Sequence, residues 1–314
     1  IISEYDVGGV FLNGRSTASA ATIRKEIVKL QSFAPKSDRL LISLDQEGGE
    51  VQALKGSDFP AIPTAVSQGK ESASQLKANT TAWAKRLAAV GITLDLAPVS
   101  DTVAASLGTK NPPIGAFYRE YGFTSSTTAA AIKTVVPAVQ STGVMTTLKH
   151  FPGLGRVLYN TDFSKKAVDN VTTAHDPNLQ PFIAGIKAGT GAVMISSATY
   201  PKLDSKTIAT FSEPVITGLL RNQLGFKGMI VSDAMGGAAA VSIVPVGQRA
   251  VKFVQAGGDF ALTAQYQKAP AMIDGMISEA KASASFAAKI KVAAGYVMRA
   301  KYTAGLLGCS PNAA

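Results

Sequence analysis

Three short stretches carry residues whose types suit chemistry. KHFPGLGRVLYNTD, residues 149–162, opens on Lys149 and His150, bends through Pro152, Gly153 and Gly155, and closes on Asp162. SDAM, residues 232–235, ends an apolar run on Asp233 and leads into the small residues GGAAAV. LDQEGGEVQAL, residues 44–54, sets Asp45 and Glu47 before two glycines. A carboxylate at the end of an apolar strand can be a nucleophile, a general base or a metal ligand, or simply a helix cap. Asp45 and Glu47 suit bidentate acceptance of sugar hydroxyls, with glycines that let backbone approach a ligand. Paired carboxylates with a basic pair suit glycoside hydrolysis: one anion meets an oxocarbenium-like centre, and one acid protonates the leaving oxygen. That reaction needs no cofactor.

Other chemistries find little support. There are two histidines, His150 and His175, with no HxH, HxxxH or CxxC spacing for a metal. No GxSxG marks a serine hydrolase, and no P-loop cradles phosphate. The net charge of +10 comes from scattered lysines and arginines without a nucleic-acid motif. Such a charge suits a solvated basic surface or an anionic polymer such as a cell wall. The single cysteine, Cys309, excludes an intrachain disulfide and leaves the compartment open. No apolar run reaches the ~18 residues of a membrane span.

These residues need a scaffold, and the pattern around them is repetitive. Apolar runs at 7–12, 39–49, 92–101, 143–153, 191–200, 228–235 and 257–263 alternate with helical stretches such as 22–34, 72–91, 125–143 and roughly 280–304. Runs without polar alternation predict strands buried on both faces, hence a parallel sheet. Seven such strands predict an α/β fold, either a (β/α)8 barrel or an open doubly wound sheet. The absence of GxGxxG after the first strand disfavours the dinucleotide-binding form of the latter. Polar residues at strand ends favour the barrel: Asp45, Asp95 with Asp101, Lys149 with His150, Ser196 with Ser197, and Ser232 with Asp233. No low-complexity linker divides the chain, so one domain over 1–314 is expected.

In order along the chain, DQEGG, NPPIG followed by Arg119, KHFPG, ATFSEPVITGLLRNQLGFKGMIVSDAM and AGGD resemble the motifs of glycoside hydrolase family 3, in its single-domain bacterial β-N-acetylglucosaminidase branch. The resemblance covers nearly the whole chain. It implies a (β/α)8 barrel whose first strand would precede Ile1. It implies exo-acting, retaining removal of terminal N-acetylglucosamine from peptidoglycan-type glycans by a monomer, through a glycosyl ester on Asp233. It assigns sugar contacts to Asp45, Arg119, Lys149 and His150. It suggests export, as the mature part of a lipoprotein, with a cytoplasmic recycling enzyme as the alternative.

The departures from the family pattern matter as much. Members usually continue KHFPGHG-x3-DSH, where the last His is the acid/base. Those positions are Leu154 for the first His, Asn160 for the Asp and Asp162 for the catalytic His. Two family arginines near DQEGG are Glu50 and Ala53, and a family His is Ser197. Asp162 is therefore the candidate acid/base, with His175 in reserve. An Asp near ~3.9 must be raised to donate a proton at neutral pH. A carboxylate base should also take water rather than phosphate as acceptor. Loss of the Ala53 arginine leaves two alternatives open: a changed terminal sugar, or a decayed glycan-binding barrel.

Overall fold

The computed structural model describes residues 1–308, so Cys309 lies outside it. Six parallel strands form one curled sheet: β1 Gly9–Phe11, β2 Leu41–Leu44, β3 Leu94–Asp95, β4 Met145–Phe151, β5 Ala192–Ile195 and β6 Met229–Ser232. They are ordered as they occur in the chain, with register pairs Gly9–Leu41, Ser43–Leu94, Leu94–Met145, Thr147–Ala192 and Met229–Ala192. Helices lie between them: α1 Ala20–Gln31, α2 Ala73–Val90, α3 Ser125–Gln140, α4 Gln180–Lys187 and a wider π-type helix, Pro214–Gln223. After β6 come α5 Val246–Gln255, α6 Ala269–Ala282 and α7 Ala284–Thr303. Each strand–helix–strand unit thus returns the chain parallel to itself, as expected of βα repeats.

The apolar runs became strands for the predicted reason. Every residue of β2, β4, β5 and β6 is buried. The helices start on side-chain caps: Ser72 accepts from Gln75 N ahead of α2, and Thr124 forms a capping box with Thr127 ahead of α3. Gly91, at φ 96°, ends α2 in the left-handed conformation. One core cluster runs from Ile27 to Met272, and includes Phe151 set edge-on to Phe182 at 5.3 Å.

The seventh expected strand lies beside β6 as a short extended segment. The 257–263 segment joins β6 by a single bridge, Val231–Phe260. Backbone bonds extend that contact, from Phe260 N to Ile230 O, from Ser232 N to Phe260 O and from Met235 N to Leu262 O, and Asp259 adds to it by accepting from Ile230 N and pairing with Arg221. Arg221 in turn stacks on Tyr296 of α7. Between this segment and β1 the sheet stays open among the described residues. A cleft of about 410 Å³ occupies the seam, lined by Phe11, Phe260, Met272, Met276 and Val297. The expected closed barrel is therefore seen as a curled parallel half-barrel with an apolar seam.

Candidate active site

The C-terminal ends of β2, β3, β4 and β6 deliver the charged groups. Asp45 follows β2, Lys149 and His150 lie near the end of β4, and Asp233 follows β6. Lys149 is 2% exposed, and its ammonium donates to Asp45 Oδ1 and contacts Glu47 Oε1, both at 2.5 Å. Arg119 donates through Nε to Glu47 Oε2 at 2.8 Å, through a terminal nitrogen to Oε1 at 2.7 Å, and to Pro113 O at 2.8 Å. Glu47 is thus the hub that orients both cations. Gly48 follows it at φ 102°, where a Cβ would sit 2.4 Å from Pro63 O, so the turn admits only glycine.

The charges of this hub regulate one another. Burial alone would raise the Glu47 carboxyl, but Arg119 and Lys149 overcome that and hold it at about 2. Burial would lower Lys149, yet Asp45 and Glu47 keep it raised and charged. Asp95, 5% exposed behind the hub, is pushed up to about 7 by burial, against the Gln46 N–H and Lys149. It therefore stays largely neutral below that pH while accepting from Gln46 N at 3.1 Å.

His150 is held by Asp101, which is fully buried. Asp101 Oδ2 meets His150 Nδ1 at 2.8 Å, and the carboxylate also accepts from His150 N and from Leu154 N. That leaves Nε2 as the ring nitrogen facing away from the carboxylate. The loop after β4 is clamped from two sides. Asn111, the first residue of NPPIG, donates to Leu154 O and Val157 O at 2.8 Å each, while its Oδ1 accepts from Ile114 N and Gly115 N. Tyr200 donates to Gly153 O at 2.8 Å and pairs with Ser196. Gly155 passes so close to Thr102 that a Cβ would stand 1.9 Å from its carbonyl oxygen.

Asp162 lies at the far end of that loop, on the rim. Its backbone oxygen accepts from Ala239 N at 3.0 Å and its N–H donates to Asn160 Oδ1 at 2.8 Å. This pins it beside the segment that follows Asp233. Its carboxyl is raised above the ordinary aspartate range by lost hydration and then by the charge of Asp233, against the pull of His150 and Arg119. Asp233 itself is half-buried; its N–H donates to Ile195 O, and its Oδ1 accepts from Ala234 N. The arrangement can do two-carboxylate chemistry, with Asp233 just after β6 and the raised acid Asp162 on the loop pinned beside it.

Asp45, Arg119, Lys149, His150, Asp162 and Asp233 are all brought to one end of the sheet. His175 is not. It is exposed on a turn, and its neighbour Asp176 points away to Arg156, at 2.8 Å. Leu154 and Ser197, at family histidine positions, are buried at 2% and 1% exposure. Ser197 pairs with Thr210, and Ser232 accepts from Leu262 N, so these strand-end serines satisfy buried backbone and hydroxyl groups. Ala53 is buried, and its carbonyl accepts from Ser16 N.

Sequence reasoning gave no role to Asp101 or Asn111 and made Glu47 a sugar acceptor. Asp101 had one visible signal, its place at the end of an apolar run.

The model of the Glycosyl hydrolase family 3 N terminal domain matches residues 1–300. The chain belongs to glycosyl hydrolase family 3. It is 34% identical over 272 residues to a beta-hexosaminidase of Xanthomonas axonopodis pv. citri, covering 82% of this chain and 76% of that one. Among solved structures, a beta-N-acetylhexosaminidase from Beutenbergia cavernae superposes with a TM-score of 0.92 at 42% identity, covering 96% of this chain and 91% of that one. A family 3 beta-N-acetylglucosaminidase from Paenibacillus sp. gives 0.88 at 30% identity, covering all of this chain and 60% of that one. The family 3 chain described here is a glycoside hydrolase. No helix among its described residues is long and apolar enough to cross a membrane.

Proposed function

We propose that the enzyme is a retaining, exo-acting β-N-acetylhexosaminidase that removes terminal N-acetylglucosamine from cell-wall-type glycans. Asp233 attacks the anomeric carbon while protonated Asp162 gives its proton to the leaving oxygen. The resulting ester neutralises Asp233. Loss of that charge removes one of the two main causes that raise the Asp162 carboxyl, and having given up its proton it then serves as base toward water. The observation that carries this reading is placement: Asp233 follows β6, and backbone bonds from Ala239 and Ala240 to Asp162 and Thr161 hold Asp162 beside the segment that comes after it. Asp45, Lys149 and His150 hold the terminal sugar's hydroxyls. Arg119 acts chiefly through Glu47, with its remaining N–H groups toward the sugar.

The acceptor is water. Asp162 as an anionic base, backed by Asp45 and Glu47, repels a phosphate dianion. The names of the relatives support the terminal sugar, and the net charge of +10 supports an anionic wall environment outside the cytoplasm. The enzyme acts as a monomer of one domain. An additional strand parallel to β1 completes the barrel, and the apolar lining of the seam supports that completion. One observation favours a second reading, a changed terminal sugar: Ala53 is packed into the core where family members place an arginine.

The test is hydrolysis of p-nitrophenyl β-N-acetylglucosaminide by the wild type and by Asp233→Ala. Turnover in the first and none in the second is expected. Turnover retained in Asp233→Ala contradicts the proposal; no turnover in either directs the search to other p-nitrophenyl sugars.

A further inference from the structure

The loop that carries Asp162 presents three large apolar side chains to solvent: Leu158 at 56% exposure, Tyr159 at 50% and Phe163 at 85%. They sit on ordered backbone. Val157 just before them and Thr161 between them are buried, Ala240 N donates to Thr161 O at 3.1 Å, and Phe163 N donates to Asn160 O at 3.2 Å. A phenylalanine ring held in water forgoes most of the free energy its burial would give. A cluster of such groups beside a reacting centre marks a contact surface.

Position decides what the surface contacts. A general acid must come within about 2.6–3.2 Å of the oxygen it protonates. The leaving group is bonded to that oxygen, so it departs on the side of Asp162. Phe163 is the next residue, about 3.8 Å away along the backbone, and Tyr159 precedes the acid by three residues. Rings here present a negative face, which matches the C–H face of a pyranose. The three side chains are themselves uncharged, which suits a neutral sugar.

We infer that Tyr159 and Phe163 form the leaving-group subsite and stack on the second sugar of a β-linked oligosaccharide. This rests on the reading of Asp162 as the acid/base. It predicts that the enzyme reads what the terminal sugar is attached to as well as the sugar itself.

The test compares two substrates with the same terminal sugar: N,N′-diacetylchitobiose, and β-N-acetylglucosaminyl fluoride, whose leaving group carries no ring. In Phe163→Ala, and again in Tyr159→Ala, the disaccharide-to-fluoride ratio of kcat/KM falls about three- to tenfold, through KM. Phe163→Trp restores the ratio. Asp162→Asn run beside them separates the two readings. If it loses the disaccharide but keeps the fluoride, the acid stands, and an unchanged ratio in both alanine variants overturns the subsite alone. If Asp162→Asn affects both substrates equally or neither, the acid reading fails and the subsite falls with it.

Discussion

Arg119 donates to both carboxylate oxygens of Glu47, a residue 72 positions away in sequence, and Lys149 closes on the same group from β4. Glu47 and Lys149 are buried and Arg119 is half-buried beside them, so each depends on the others. Glu47→Gln leaves Arg119 facing a neutral amide and Lys149 with Asp45 as its remaining anion. Breaking a buried pair by removing one partner costs about 3–5 kcal/mol. Glu47→Gln should therefore lower the urea midpoint strongly, and should raise KM as Lys149 and Arg119 lose their common anchor. A variant as stable as the wild type would show that the hub is screened by water.

Asp162→Asn removes the proton but keeps the shape and the Asn160 contact through the backbone. Loss of general acid catalysis amounts to roughly 10²–10⁴-fold. That loss should fall on disaccharides, whose leaving groups need protonation, and spare p-nitrophenyl glycosides in the first step. In the wild type the rate should drop as pH rises through the raised Asp162 value, because the acid form is consumed. The basic limb should vanish in Asp162→Asn. A pH profile with the same basic limb in the variant would assign the proton to another group.

Stability should also depend on pH, in two opposed ways. Asp95 is held at about 7 in the fold, above its ordinary value, so the folded state binds the extra proton. Its contribution is present at low pH and is lost as pH rises from about 4 through 7. Glu47, held at about 2, acts in the opposite sense: its contribution is present above about 4.5 and is lost as pH falls toward 2. Denaturant midpoints should therefore peak on the acid side of neutrality. Asp95→Asn, which keeps the acceptor for Gln46 N, should flatten the fall between pH 5 and 8. An unchanged slope in that variant would place the titration elsewhere, with Asp259, also raised to about 7 against Arg221, as the next group to replace.

The sheet was legible because burial on both faces leaves an unbroken apolar run, and runs such as GMIVS and GAVMI have no other use. The strand ends were legible for the same reason, since a charge closing such a run must face a site or a partner. What the sequence could not convey was pairing. The strand-end position of Asp101 is visible, but its service to His150 and Leu154 depends on β3 and β4 lying side by side. Arg119 reads as a sugar contact from its motif, and its additional bonds to Glu47 and Pro113 O were not visible there. The last apolar run reads as strongly as the others and does lie along β6, through the Val231–Phe260 bridge and the backbone bonds around it, but its outer edge has no strand partner among the described residues.

Phosphate offers a separate check on the acceptor. If Asp162 works as an anionic base in the second step, added phosphate should leave the release of p-nitrophenol unchanged at constant ionic strength, and no sugar 1-phosphate should form. Faster turnover with phosphate, and a sugar phosphate product by NMR, would overturn the choice of water.

The central claim is that Asp233 forms a bond to the sugar. Incubation with 5-fluoro-N-acetylglucosaminyl fluoride, which slows the second step more than the first, followed by peptide mass spectrometry, tests it directly. The account predicts one added glycosyl mass, on the peptide that contains Asp233, and none in Asp233→Ala. A label on another residue, or an enzyme that turns over the aryl glycoside but never carries the label, would contradict it.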